Sequence, residues 1–136
     1  DLVISRAVME HVNDLEATIG DMARVLKAGG MAAHLVDLKS HGLHIENPLD
    51  FLRWPDWLWF LMYGYKGVPN RYRVNRYRAV LAASKLNLIT LEATQRASQT
   101  EVEAIRDRLP KKYNAINNDD LSWLGFWLVA RNEIEA

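Results

Sequence analysis

The sequence lacks cysteine, any excess of charge and any long apolar run, and each absence excludes a class of function. Because none of the 136 residues is cysteine, disulfides and thiolate chemistry are excluded. The 17 basic and 17 acidic residues cancel, which argues against nucleic acid and acidic membrane surfaces as partners. No apolar run approaches the roughly 18 residues of a transmembrane helix, and no signal peptide is recognisable. We therefore expect a cytoplasmic protein without nucleic acid and without stable membrane insertion.

A starting methionine is also absent, and the chain opens directly on a strand. Asp1–Ser5 is a short apolar run typical of a strand inside a parallel sheet. Such a strand needs a neighbour on each side, and no upstream residue supplies one. We therefore expect the sequence to be a fragment. We also expect the free edge of this first strand to pair with another chain, for example in a homodimer, or to be covered by its own chain.

Residues 1–38 follow the order strand, helix, strand. Asn13 is the predicted N-cap of a helix that Gly29–Gly30 end, and Met31–Leu38 is the second strand. Such a βαβ unit has a right-handed crossover. Its ligands bind beyond the carboxyl ends of its strands. The predicted site therefore lies just after each strand, with Asp37 at the end of the second.

Residues 39–69 combine a polar loop with an unusual concentration of aromatic residues. Pro55 interrupts the segment and predicts two short helices. These side chains either cap the sheet as ordinary core, or form a lid over a substrate pocket, or dip into a membrane interface. The sequence leaves the three interpretations open. Seven of the thirteen aromatic residues fall within fifteen positions: Phe51, Trp54, Trp57, Trp59, Phe60, Tyr63 and Tyr65.

Residues 70–78 contain four arginines interleaved with tyrosines and no acidic residue. Such a pattern can bind nucleic acid. Asn75, however, is the predicted N-cap of a helix that would place most of these arginines on its solvated first turns. The balanced charge of the chain favours this second interpretation. Arg71 is the one arginine that we expect at the lip of a pocket, where it could bind an anionic group of a substrate.

The last part of the chain is predicted to contain two further strands. Residues 88–95 alternate, with Ile89 on the apolar face, as in a half-exposed strand. Trp123–Arg131 is apolar on both faces and is therefore an interior strand. A capping box that begins at Ser98 starts a short helix between them. Two late strands joined in this way are expected to be antiparallel.

Three motifs in residues 1–38 carry a resemblance to a known family. They are Asp1-Leu2-Val3-Ile4-Ser5, Val8-Met9-Glu10-His11-Val12 and Arg24-Val25-Leu26-Lys27-Ala28-Gly29-Gly30. Together they resemble the class I S-adenosylmethionine-dependent methyltransferases, with Ala28 in place of the usual proline. The likeness continues more weakly through Asn47-Pro48, the aromatic segment, Asn70-Arg71 and the closing Leu128-Val129-Ala130-Arg131.

The resemblance implies an α/β fold, namely part of a Rossmann-like methyltransferase sheet. Its parallel strands would be followed by a C-terminal antiparallel hairpin, with helices on the faces of the sheet and an aromatic helical lid inserted. Residues 1–136 would be the C-terminal part of a single domain. That part divides into a βαβ core (1–38), a loop and lid (39–69) and a helix with the closing hairpin (70–136).

The resemblance also implies S-adenosyl-L-methionine as cofactor and methyl transfer to a small-molecule acceptor. The family's glycine-rich loop is missing, because Gly29–Gly30 end a helix rather than opening one. We therefore expect the fragment alone to be inactive and to bind the cofactor very weakly or not at all. The alternative function is a non-catalytic, methyltransferase-like module. It would bind a protein partner through its aromatic surface and open sheet edge.

Several residues are candidates for the site on this resemblance. Ser5, Arg6 and Ala7 would lie against the methionine part of the cofactor. His11 is the candidate catalytic base, and hydrogen bonding that fixes the turn is its alternative role. The candidate substrate-binding residues are Asp37, His41, Trp57, Asn70 and Arg71.

The remaining histidines do not predict a metal site. His34 lies among apolar residues in the middle of a strand and is expected to be a core histidine. Asp37, His41, His44 and Glu46 cluster in one loop and could bind a metal, but their spacing matches no strong zinc pattern. We therefore predict no metal site there.

Overall fold

The computed structural model describes residues 1–65 and 67–133. Residues 66 and 134–136, which the predicted segments 39–69 and 70–136 include, lie outside the described residues. The strands are β1 (Leu2–Arg6), β2 (Met31–Asp37), β3 (Leu86–Arg96) and β4 (Trp123–Asn132). The helices are α1 (Leu15–Val25), α2 (Asp56–Tyr63), α3 (Val74–Ala82), α4 (Gln99–Arg106) and α5 (Asn118–Ser122). Short 3₁₀ turns cover Met9–His11, Asp50–Arg53 and Lys111–Tyr113.

The four strands form one open sheet in the order β1-β2-β4-β3. β1 and β2 are parallel, as the βαβ pattern predicts, and β4 runs antiparallel to both β2 and β3. β4 is an interior strand, because it lies between β2 and β3. This position agrees with its apolar residues on both faces of the sheet. The predicted fold class, a partial methyltransferase-like sheet with a C-terminal antiparallel pair, is confirmed.

α1 begins one residue later than predicted. The side chain of Asp14, not that of Asn13, caps the helix, and it accepts a hydrogen bond from the backbone N–H of Ala17 at 2.9 Å. Both residue types are good N-caps, so propensity could not choose between them. Leu15 is fully buried as the first helical residue, and its packing fixes the start.

β3 begins earlier than predicted and is irregular. Asn87, just before the predicted start, already lies inside the strand and opposite Arg131. The register shifts between Leu88 and Thr90, and this bulge turns Ile89 away from the core, so that its side chain is about half exposed. The prediction that Ile89 lies on the apolar face is therefore wrong.

Two clusters of buried side chains stabilise the fold. The first, which we call the sheet core, packs α1 and α3 against the strands and contains Leu15, Tyr77 and Phe126. The second, which we call the lid core, joins the 3₁₀ turn Asp50–Arg53 and α2 to α4 and α5. Phe51 and Trp59 are buried in the lid core, whereas Trp57, Phe60 and Tyr65 are exposed. The aromatic segment is therefore core on one side and open surface on the other.

Within the described part of the chain, no helix has the length and apolar character needed to cross a membrane.

Candidate functional site

The turn after β1 is held in an unusual backbone conformation. Ala7 has a φ of +53°, a left-handed region that a residue with a Cβ atom rarely adopts, and its N–H donates to the carbonyl of Leu35 at 3.0 Å. Asn70 fixes the other side of this turn. Its side-chain amide donates to the carbonyls of Met9 (3.1 Å) and Val12 (3.0 Å), and its backbone N–H donates to that of Glu10 (2.6 Å). Backbone strain of this kind concentrates at functional sites.

The loop after β2 places the imidazole of His41 beside the turn that follows β1. His41 also has a left-handed backbone, with a φ of +53°, and the glycine that follows it has a φ of +87°. The Nε2 atom of His41 lies 3.6 Å from Asp37 Oδ2 and 4.0 Å from Glu10 Oε1. The other oxygen of Asp37 accepts a hydrogen bond from the N–H of Lys39 at 2.9 Å.

Glu10, His11 and His41 form a compact cluster at the carboxyl ends of β1 and β2. The two imidazole rings meet edge to face, with their centroids 5.2 Å apart. Glu10 Oε1 lies 3.9 Å from His11 Nε2. The side chain of Glu10 is only 1% exposed, and neither of its carboxylate oxygens accepts a hydrogen bond from any described residue. A carboxylate that is buried and unsatisfied in this way is costly, so it indicates a missing partner.

A cavity of about 260 Å³ opens beside this cluster. Trp59, Phe60 and Tyr63 of α2 contribute its aromatic wall, and His11 and Asn70 contribute polar groups. A mostly apolar pocket with a few polar groups is the usual form of a small-molecule site. His11 is the residue that belongs to both the cluster and the cavity.

A second, smaller cavity of about 150 Å³ lies at the ends of the strands. Arg6, Ala7 and Asp37 line it, together with Gly125 of β4. A Cβ atom at Gly125 would lie 2.9 Å from Thr94 Oγ1 and 3.2 Å from the carbonyl oxygen of Val36, so glycine is needed for the neighbouring strands to approach this closely.

Ser5 and His34 bond to each other beneath this cavity. The Ser5 hydroxyl lies 2.7 Å from His34 Nδ1, and His34 is buried among the strands, as predicted. Burial lowers the pKa of His34 below its usual value, so the imidazole is neutral at pH 7. The side chain of Ser5 is therefore engaged inside the sheet, while Arg6 and Ala7 are exposed toward the cavity.

Two predicted substrate-binding residues lie elsewhere. Trp57 is exposed on α2 and does not line the aromatic cavity, whereas Trp59, two residues later on the opposite side of the helix, does. Arg71 is buried, with its guanidinium 4.6 Å above the Trp59 ring. It donates to the carbonyl of Trp54 and pairs with Asp56. Arg71 therefore stabilises the aromatic segment from within, and its predicted position at the lip of a pocket is wrong.

The other arginines of residues 70–78 also have partners within the protein. Arg73 is fully buried and donates only to carbonyl groups. Arg76 pairs with Glu16, and Arg78 forms a bidentate pair with Asp120 at 2.9 and 3.2 Å. The prediction of solvated arginines therefore holds for Arg76 and Arg78, which are exposed on α3, and fails for Arg71 and Arg73, which are buried.

The loop histidines considered as metal ligands do not come together in one site. His41 lies in the cluster with Glu10, whereas His44 bonds through Nδ1 to the Ser40 hydroxyl. Sequence reasoning missed Glu10 and Trp59. The sequence signal for Glu10 was its place beside His11 in the motif Val8-Met9-Glu10-His11-Val12, shortly after β1.

A larger cavity, of about 820 Å³, lies at the opposite end of the sheet. Its walls come from the ends of α1 and α3 and include Ala23, Lys27, Ser84 and Lys85. Ligands of such sheets bind at the carboxyl ends of the parallel strands, so this groove is not the candidate active site.

The first part of the chain matches a known protein family. Residues 1–34 match the family described as "Methyltransferase domain". No curated protein sequence matches the chain. The matched residues include the strained turn after β1 and both Glu10 and His11.

Solved structures share the fold at low sequence identity. A SAM-dependent methyltransferase from Methanosarcina mazei is 13% identical, with a TM-score of 0.58 over 99% of this chain and 60% of its own. An S-adenosylmethionine-dependent methyltransferase from Mesorhizobium loti is 15% identical, with a TM-score of 0.54 over 96% and 61%. Phosphoethanolamine N-methyltransferase 2 from Haemonchus contortus, solved with S-adenosyl-L-methionine, is 13% identical, with a TM-score of 0.57 over 98% and 33%.

The chain thus spans about three fifths of the length of the first two of these structures. At such identities the likeness establishes the fold. The resemblance inferred from the sequence is therefore confirmed: residues 1–34 match the methyltransferase domain family, and the chain has the fold of part of a class I S-adenosylmethionine-dependent methyltransferase.

Proposed function

We propose that the protein belongs to an enzyme that transfers a methyl group from S-adenosyl-L-methionine to a small-molecule acceptor. In this proposal residues 1–136 are the C-terminal part of one methyltransferase domain, in the segments 1–38, 39–69 and 70–136, and its location is cytoplasmic. The observation that carries the proposal is the aromatic cavity that meets His11 at the carboxyl end of β1. This is the end of the sheet at which ligands of such folds bind.

The small cavity fits one end of the cofactor. Arg6 and Ala7 would lie against its methionine part, and the Asp37 carboxylate at the rim would suit its positive charge. Ser5 would contribute through the backbone, because its hydroxyl is bound to His34. A volume of about 150 Å³ is below the usual minimum of about 300 Å³ for a small-molecule site. The described residues would therefore hold only part of the cofactor, and the fragment alone would be inactive.

The bound cofactor supplies an electrophilic methyl group on a sulfonium. The protein's task is then to hold the acceptor's nucleophilic atom in line and in a dry site. Trp59, Phe60 and Tyr63 would exclude water and contact a flat apolar acceptor. His11 would face the acceptor's nucleophilic atom and accept its proton. His41 and Asp37 would form the polar side of the same site.

Calorimetry with S-adenosyl-L-methionine tests this function. The 136-residue chain should show no binding at about 100 μM cofactor, whereas the chain extended upstream by its native sequence should bind at micromolar concentrations. Ala7→Val should weaken that binding by about ten- to a hundredfold, because a β-branched residue is strained by roughly 1–3 kcal/mol at positive φ. Ala79→Val, on the exposed face of α3, is the matched control and should bind normally.

Absence of cofactor binding by every extended chain would overturn the proposed function. It would favour the alternative, a non-catalytic module that binds a protein partner. The exposed side chains of Trp57, Phe60, Leu61 and Tyr65 are the observation that supports this second candidate.

The free edge of β1 supports self-association of the 136-residue chain. Among the described strands, β1 pairs with β2 alone, and Leu2 and Ile4 are 62% and 69% exposed. We expect a homodimer by light scattering at micromolar concentrations, and Ile4→Lys should make it monomeric, because a charge on an edge strand blocks pairing. Ile45→Lys introduces the same charge at an exposed loop position and should leave the dimer intact. A monomeric parent chain would contradict this prediction.

A further inference from the structure

We propose that Glu10, His11 and His41 bind a divalent first-row transition ion, for which Zn²⁺ is the reference. Residue spacing does not indicate this site, because its ligands come from two loops thirty residues apart. The structure brings one potential ligand atom of each residue within 4.8 Å of the others.

The distances suit one shared ion. Zinc binds imidazole nitrogen and carboxylate oxygen at about 2.0–2.2 Å, so two ligand atoms of one ion lie no more than about 4.4 Å apart. Glu10 Oε1 lies 3.9 Å from His11 Nε2 and 4.0 Å from His41 Nε2. The carboxylate is therefore already within the required distance of both nitrogens. A small rotation of the partly exposed His41 side chain would also bring the two imidazole nitrogens within this distance of each other.

Burial of Glu10 is the independent observation that points to a ligand. This carboxylate is 1% exposed and accepts no hydrogen bond from the described residues. The nearest basic groups are the two imidazoles, at distances too long for hydrogen bonds. A cation bound between them would neutralise the buried charge and satisfy the carboxylate.

The ligand set selects the class of metal. Two imidazoles and one carboxylate form the donor set of catalytic zinc sites, and they also suit Fe²⁺ and Co²⁺. Mg²⁺ and Ca²⁺ prefer a shell of oxygen atoms, which two imidazoles do not supply. Asp37 lies beside His41, but its oxygens already contact Lys39, so three protein ligands and one open position result.

The open coordination position of the ion could receive the methyl acceptor. This role rests on the proposed function. His11 is shared with the aromatic cavity, so an oxygen of the acceptor could bind the ion directly there. A bound cation lowers the pKa of such an oxygen and fixes its direction. His11 would then act as a ligand in place of its role as a base, and the proton of the ion-bound acceptor oxygen would pass to the Asp37 carboxylate beside His41.

Zinc titration of the apo-protein by calorimetry tests the site. We expect one Zn²⁺ per chain, and Co²⁺ should give the visible absorption of a nitrogen- and oxygen-bound ion. Glu10→Gln and His41→Asn should each weaken Zn²⁺ binding about tenfold or more, because each removes one of three ligands. Asparagine tolerates the positive φ of residue 41, so the second variant should fold even if the first does not.

His44→Asn is the matched control, because it removes a histidine of the same loop that bonds to Ser40 instead. It should leave Zn²⁺ affinity unchanged. The proposal is wrong if the parent chain binds no Zn²⁺ at about 100 μM, or if His44→Asn weakens binding as much as His41→Asn. The titration uses neither cofactor nor acceptor. A negative result therefore leaves the proposed methyl transfer intact, and a failure to bind S-adenosyl-L-methionine leaves the metal site intact.

Discussion

Arg73→Met is expected to lower the free energy of unfolding by about 3–5 kcal/mol. Three buried carbonyls lose a charged donor, whose hydrogen bonds contribute roughly 1.5–3 kcal/mol each, and relief of the guanidinium's desolvation cost offsets part of this loss. Arg73 is 1% exposed, and burial lowers the pKa of its guanidinium to about 10, so the group stays charged at pH 7. It donates to the carbonyls of Leu38 and Leu121, both at 3.1 Å, and to that of Trp123. Methionine fills similar space but leaves three buried carbonyls without this donor.

These three carbonyls explain why the effect should be large. Leu38 follows β2, Leu121 lies in α5 and Trp123 begins β4, so one side chain ties the end of the parallel pair to the start of the interior strand. Urea unfolding followed by circular dichroism measures the loss. Arg76→Met is the matched control, because its guanidinium pairs with Glu16 at the surface and should contribute no more than about 1 kcal/mol.

Equal unfolding free energies for the two variants would contradict this prediction. If Arg73→Met does not fold, Arg73→Lys gives a second measurement. Lysine keeps the charge but cannot reach three carbonyls in different directions, so an intermediate loss is expected.

The order of the four strands and of α1 to α4 could be predicted from residue spacing and apolar patterning, whereas α5 lies in a stretch that reads as a polar loop. The interior position of β4 followed from its apolar residues on both faces, and the parallel β1–β2 pair followed from the βαβ pattern. The exact starts of α1 and β3 could not be predicted. Adjacent Asn13 and Asp14 are equally good caps, and a bulge at Ile89 has no local sequence signal.

The buried arginines mark the limit of sequence reasoning. Arg71 and Arg73 lie in a polar stretch that is typical of a solvated helix start. Their partners come from residues 15 to 50 positions away in sequence, such as Asp56 for Arg71 and Trp123 for Arg73. Only the assembled fold brings these groups together, so the stretch could not be distinguished from a surface helix.

Part of the candidate site could be predicted because its residues follow strand ends. His11 and His41 were expected there, and the structure places them 5.2 Å apart. The burial of Glu10 could not be predicted, because it depends on the turn that Asn70 closes from sixty residues away. Likewise, Trp59 rather than Trp57 reaches the cavity because the start of α2 sets which side of the helix faces inward.

Asn70→Asp should show how strongly this site depends on that turn. Aspartate has the same shape but cannot donate to the carbonyls of Met9 and Val12, and its charge would be repelled by both. We expect the free energy of unfolding to fall by about 2–3 kcal/mol, since two partly buried acceptors lose their donor. Because the turn carries Glu10 and His11, Zn²⁺ affinity measured by calorimetry should also fall about tenfold or more.

Asn13→Asp is the control for the change in charge. Asn13 is exposed two residues after His11, and a substitution on the surface away from packed groups should alter stability by less than about 0.5 kcal/mol. If the added charge alone were responsible, the two variants would lose stability and Zn²⁺ affinity to a similar degree. A loss confined to Asn70→Asp would instead locate the effect in the hydrogen bonds to Met9 and Val12. Asn70 would then be a residue that positions Glu10 and His11, rather than one that contacts the acceptor itself.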